Sequence, residues 1–185
     1  MIGVQDFIRY YDWTFEYLRR QQGEEAVQRY WAEAIAFDSQ NHANVLIQAK
    51  GLEGMAEYWG HTLQSEEAGY RTTLDDDHFR IDMVDCPSKG QLIKTGQEEY
   101  HDYCQHCIGW IKPIMDKAGF EIDHEHNHRG QCWWEMYPAG AEGRRALPPV
   151  RDEADVRLHP DWPQDKHDLW LGSERAEDDS TDSEV

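Results

Sequence analysis

Apolar residues recur at helical spacing through the first third of the chain and at strand spacing in short stretches after it. Phe7, Tyr11, Phe15 and Leu18 predict a helix from Asp6 to Arg20 that Gly23 stops. A second helix starts at Glu24-Glu25, with acids in its first turn, and carries Val27, Tyr30, Trp31 and Ile35. A third runs from Ala43 to Lys50. Gly51 breaks it, and Leu52 to Gln64 forms a fourth with Leu52, Met55, Ala56 and Trp59. The period then changes. Tyr70–Leu74 and Phe79–Val84 read as strands, the second alternating Phe79, Ile81, Met83 with Arg80, Asp82, Val84. Asp75-Asp76-Asp77 makes the turn between them, and Cys86-Pro87 ends the second, because proline cannot continue a ladder. The spacing predicts a helix from Gln97 to Ala118, kinked or divided at Pro113. Phe120–His126 and Gln131–Tyr137 alternate again around the turn Asn127–Gly130. These elements predict an α+β fold: N-terminal helices and a long Cys/His-bearing helix packed on one side of a small antiparallel sheet.

The pattern fades after Tyr137. Five of the seven prolines fall from Pro138 onward. Residues 138–172 read as a Pro- and Trp-containing extension, and 173–185 as an acidic disordered tail. Residues 1–137 then form a single catalytic or ligand-binding domain. Isolated apolar anchors between Pro148 and Trp170 suit either a strap across that domain or a contact that makes a homo-oligomer.

The formal net charge is −19, from 37 acidic and 18 basic residues. Such a surface disfavours nucleic acid and anionic membrane as partners. No run approaches the roughly 20 apolar residues of a membrane span, and the acidic, aromatic N-terminus does not read as a signal peptide. Cytoplasmic is the expected location. Four cysteines in a chain of this size read as thiols.

The chemistry concentrates in His101-Asp102-Tyr103-Cys104-Gln105-His106-Cys107. Cysteine and histidine supply nucleophiles, bases and soft metal ligands. At about 100° per residue, Cys104 lies about 60° from both His101 and Cys107, on the face that collects Ile108, Ile111 and Met115. His106 falls about 160° away from it. His101, Cys104 and Cys107 are therefore expected to face inward, and His106 to serve another surface. Cys86 ends a strand just before this helix. His124 and His126 share one strand face, a common start to a metal site. If helix and sheet pack as predicted, Cys86, Cys104, Cys107, His101 and His124 border one cavity. Plainer readings stand beside these. Free thiols are often core filler, which is the first reading of Cys132, and hairpin histidines often mark a solvated end.

Cys86-Pro87 after a strand, Tyr103-Cys104-x-His106-Cys107 on a helix and Gly130-x-Cys132 in a closing hairpin resemble the L-2-amino-thiazoline-4-carboxylic acid hydrolase family. The resemblance covers roughly residues 10 to 137. It implies a small cytosolic enzyme that opens a cyclic amidine by adding water, a hydrolase of C–N bonds other than peptide bonds with a small-molecule substrate. It also implies that Cys104 or Cys107 is a nucleophile or a metal ligand, with His101 or His106 carrying protons and Cys86 nearby. Trp110, Trp133, Trp134 and Tyr103 would then line the substrate's pocket. No cofactor is required on this reading. Two alternatives stay open: a zinc- or iron-dependent enzyme built on His124 and His126, and a ligand-binding protein without catalysis.

Overall fold

The computed structural model describes residues 4–141. The predicted extension and acidic tail lie, from residue 142 on, outside the described residues. The fold is α+β. Helix α1 spans Val4–Gln22, and Gly23, at φ +85°, turns the chain into α2, Glu24–Arg29. The chain continues as a π-helix, Tyr30–Ser39, where the backbone N–H of Gln40 reaches back five residues to Ile35. Helices α3 (Asn41–Lys50) and α4 (Leu52–Ser65) follow, separated by Gly51 at φ +58°. His42 lies in the first turn of α3.

Strands β1 (Gly69–Leu74), β2 (Phe79–Asp85), β3 (Phe120–His126) and β4 (Cys132–Pro138) form one antiparallel sheet in the order β1-β2-β4-β3. Helix α4 packs on β1 and β2, and helix α6 (Gln105–Ala118) packs on β3 and the π-helix. The inward face carries Phe79, Ile81 and Met83, with Trp134 and Met136 beside them. All five are buried against Phe15, Ile47, Met55, Ile114 and Met115. Among the described residues, no helix is long and apolar enough to cross a membrane.

Residues 86–104 depart from expectation. A short helix α5, Lys89–Lys94, follows Cys86-Pro87, and the cysteine helix begins only at Gln105. Tyr100 ties this stretch to α1. Its backbone N–H donates to Asp12 Oδ1 at 2.7 Å, and Asp12 has no accessible surface. Tyr100 and Tyr103 are both buried, each ring against Phe15 of α1. The helical phasing of His101 against Cys104 is therefore corrected, since residues 101–104 form turns. Pro113 neither divides α6 nor ends it.

Helix α6 approaches the π-helix through Gly109. A Cβ there would stand 2.6 Å from Trp31 Cε3 and 2.9 Å from Trp31 Cβ. Gly109→Ala is expected to cost about 1–3 kcal/mol by forcing these elements apart. Gly60→Ala in α4, where a Cβ would meet nothing within 4 Å, is expected to hold or gain up to about 1 kcal/mol from helix propensity. Urea midpoints of the two variants check both; equal midpoints would remove the close-approach argument.

Candidate active site

Three segments deliver the four cysteines to one region. Cys86 follows β2, Cys104 caps α6, Cys107 lies in its first turn and Cys132 opens β4. Pairing of β2 with β4 sets Met83 opposite Cys132. Beyond that pair, the Cys86 N–H donates to the Gly130 carbonyl at 2.8 Å, which ties the β3–β4 hairpin to the start of α5. Gly130 takes φ +83°, and Gly90 packs so close that a Cβ would lie 2.8 Å from Asp85 Oδ1. The turn after β2 and the hairpin thus meet as bare backbone.

Each thiol lies within electrostatic reach of the other three. Burial raises all four above the ordinary thiol range, Cys104 and Cys107 well above it. Yet all four keep some accessible surface. Exposed Glu66, just past α4, lies within electrostatic reach of Cys86 and Cys107.

The thiols differ in what touches them. Cys86 Sγ accepts the Lys89 backbone N–H at 3.4 Å, and the backbone amides of Ser88 and Gly90 also favour its thiolate. Cys132 Sγ accepts Trp134 Nε1–H at 3.1 Å. The Lys89 ammonium pulls against burial at Cys104. Cys107 Sγ sits 3.3 Å from His106 Nε2. The Nδ1–H of His106 donates to the Tyr103 carbonyl, which fixes the tautomer and leaves Nε2 to accept from the thiol. Burial lowers the His106 pKa to about 4, with the Tyr103 bond working the other way.

The sequence placed His106 on another surface; the structure buries it beside Cys107. The first turn of α6 follows a bend at Tyr103 rather than a long helix, so angles counted from residue 101 do not apply. His101 turns to Glu24, with Nε2 3.3 Å from Oε1, and lies against the Tyr100 ring. Tyr103 is buried and its hydroxyl bonds Ser88 Oγ, beside Cys86. Trp134 stands on the inward face beside Cys132, stacked on His124. Trp110 packs in the core against Trp59 and Tyr58. Trp133 cannot share a wall with Trp134, because adjacent strand residues point to opposite faces. It sits under the Arg80 guanidinium and donates to Glu125. His124 and His126 do share a face, their rings 5.4 Å apart, and the His126 ring continues to His128 at 4.4 Å.

No protein-family model matches the chain, and neither a curated protein nor a solved structure does. The site therefore stands on its own geometry. Cys132, read first as core filler, joins the thiol group. Its signal was Gly130-x-Cys132 paired against the end of β2. Lys89, Ser88 and Asp12 carried no sequence signal. Among the described residues, Asp75, Asp77 and His78 form the one group of three or more potential metal-ligand side chains whose ligand atoms all lie within 4.8 Å of one another. They occupy the β1–β2 turn, at the far end of the sheet from the thiols.

A histidine whose folded pKa is depressed binds its proton more readily when unfolded. Its stabilisation is complete above the unfolded value near 6.5 and is lost as pH falls toward 4. The full swing is about 3 kcal/mol. His106→Asn keeps a donor for the Tyr103 carbonyl and removes the titration. Urea unfolding between pH 7 and 4 should show a smaller loss for the variant; parallel losses would assign the acid sensitivity elsewhere.

Proposed function

We propose that this protein is a hydrolase acting on a small molecule, opening a C–N bond of a cyclic amidine where the four thiols converge. The observation that carries this reading is the Cys107–His106 contact among those thiols. An imidazole with a pKa of about 4 is neutral throughout the physiological range, and its tautomer presents a lone pair to the thiol. A thiol pushed so far up and a base pulled so far down do not form a standing ion pair. The proton leaves sulfur only as the new bond forms.

In this reading the Cys107 sulfur attacks the amidine carbon while its proton passes to His106 Nε2. The C=N electron pair moves to nitrogen, which takes that proton. The exocyclic nitrogen then re-forms a C=N bond and gives up a proton, which His106 passes to the ring nitrogen; the ring C–N bond breaks and the neutral amine departs. Water adds to the same carbon, and cleavage of the S–C bond returns the thiol. The aromatic face of Trp134 offers a flat wall to a small planar ring.

A second reading has its own support. His124 Nε2 is buried without a hydrogen-bond partner, and His126 shares its strand face. Zinc or iron held there by both imidazoles would fill that vacancy in bonding. Loss of a stoichiometric metal in a His124→Ala variant, with turnover lost alongside it, would favour this reading over the first.

Turnover of L-2-amino-thiazoline-4-carboxylate and related cyclic amidines tests the leading reading. Cys107→Ala is expected to lose at least about a thousandfold in kcat/KM, and His106→Ala roughly a hundredfold. A folded Cys107→Ala protein with unchanged turnover sinks it.

A further inference from the structure

The sheet has a second face, which carries Arg80, Asp82, Trp133, Glu135 and Tyr137 in alternation with the inward set. Among the described residues, the helices that pack on the sheet, α4 and α6, lie against the inward set, with Trp59 stacked on Phe79. Yet the second face is closed. Trp133 is 4% exposed, Arg80 5%, Tyr137 5% and Glu135 1%. We propose that the chain beyond β4, residues 142–172, folds back across this face as a strap, with its arginines toward the face's carboxylates. This goes beyond the hydrolysis reading and does not require it.

Three observations carry this. First, side chains on one sheet face do not hide one another so well. The Arg80 guanidinium lies over the Trp133 ring, 4.9 Å from its centroid, and takes Asp82 as its partner. It is the upper layer there, and an uncovered arginine keeps its head in water. This one is buried, so a further layer lies above it. These exposures are those of a single chain, so the layer belongs to that chain. Second, the layer must be polar as well as apolar. Among the described residues, nothing bonds the buried Arg80 Nη1, Glu135 Oε2 and His78 Nε2. The guanidinium needs an acceptor and the carboxylate a donor. Residues 142–172 hold Arg144, Arg145, Arg151 and Arg157 as well as Asp152, Glu153 and Asp155, with Leu147, Val150 and Trp162 for the aromatic rings. Glu121, Asp123 and Glu125 of β3 point the same way as Glu135, which gives those arginines charge to meet.

Third, the chain leaves the sheet on this side. The Gly140 N–H, just past Pro138, donates to Glu121 Oε1 at 3.2 Å. Glu121 stands opposite Tyr137 on the same face. Residue 142 therefore starts at the edge of the patch it would cover. Residues 142–172 reach about 100 Å when extended, against roughly 20 Å across four strands. Pro148-Pro149 favours an extended course for part of that run. Residues 1–3 offer no such route, since α1 packs on α2 and α5 and three residues span about 10 Å.

Hydroxyl-radical footprinting of the full chain, read residue by residue by mass spectrometry, tests the strap. Tyr137 is expected to label at least about tenfold more slowly than the exposed Tyr10, and Trp133 is protected alongside it. A full chain with a specific protease sequence inserted between Ala141 and Glu142 folds whole, is then cut, and is separated from the released piece. Labelling of Trp133 and Tyr137 should then rise at least about fivefold, while Trp59 in the core stays protected. In the uncut chain, Arg144→Glu, Arg145→Glu and Arg151→Glu together should raise it at least about twofold. These three lie outside the domain, so this variant decides alone if the cut domain unfolds and Trp59 labels too. Unchanged labelling of the folded domain after removal overturns the proposal, and so does a triple variant that labels like wild type. Trp133 and Tyr137 as reactive as Tyr10 in the intact chain overturn it as well. Protection that appears only as protein concentration rises assigns the cover to a second copy and also overturns it. Footprinting reads the strap whether or not a cyclic amidine turns over, so this proposal and the hydrolysis reading fail separately.

Discussion

Asp12 has no accessible surface, and its Oδ1 takes the backbone N–H of Tyr100. A carboxyl group buried in helix α1 must find donors, because burying it without them costs several kcal/mol. Tyr100 provides one by leaving helical geometry. The tyrosine rings at 100 and 103 then fall against Phe15, and the chain turns before Gln105. That turn sets the rotational phase of α6. With it, His106 faces inward beside Cys107, and the Tyr103 carbonyl stands where the imidazole Nδ1–H can reach it. The bond between residues 12 and 100 thus anchors to α1 the segment that leads into α6.

The second half of the site depends on backbone meeting backbone. The end of β2 and the β3–β4 hairpin come together through the Cys86–Gly130 hydrogen bond. Glycines at 90 and 130 leave no side chain between them. The result sets Cys86 and Cys132 on the same side as the first turn of α6. Burial keeps all four thiols protonated, but it does so unevenly. Amide, indole and ammonium groups favour the thiolate at three, while Cys107 faces an imidazole that burial keeps neutral. Cys107 is the thiol whose sulfur meets an imidazole, and that contact carries the chemistry proposed for the site.

Most of the fold was legible because it follows from local periodicity. Phe79, Ile81 and Met83 alternate with polar neighbours, and β2 forms there; Val45, Leu46 and Ile47 end at Gly51, and so does α3. Gly119, at φ +81°, closes α6 where the sequence has its glycine. The site was legible in residue type and less so in partnership. Cys86, Cys104 and Cys107 were identified as neighbours, whereas helical phasing turned His106 away from them and His101 toward them, and Cys132 was read first as core filler. The misplaced histidines come from extending helical angles through residues 101–104, which form turns. Trp133 was grouped with Trp134 although strand alternation separates them, so there the sequence already held the answer.

The sequence by itself determined the order of helices and strands, the inward set of each strand and the concentration of thiols and imidazoles near residues 101–107. Those follow from side-chain period and from glycine and proline, which act within a few residues. Only the tertiary structure decided the strand order β1-β2-β4-β3, the meeting of Cys86 with Cys132, the start of α6 and the pairing of Cys107 with His106. Each of these rests on bonds between residues far apart in the chain. A buried polar group takes whatever donor the packing brings to it, and no local pattern announces which one that will be.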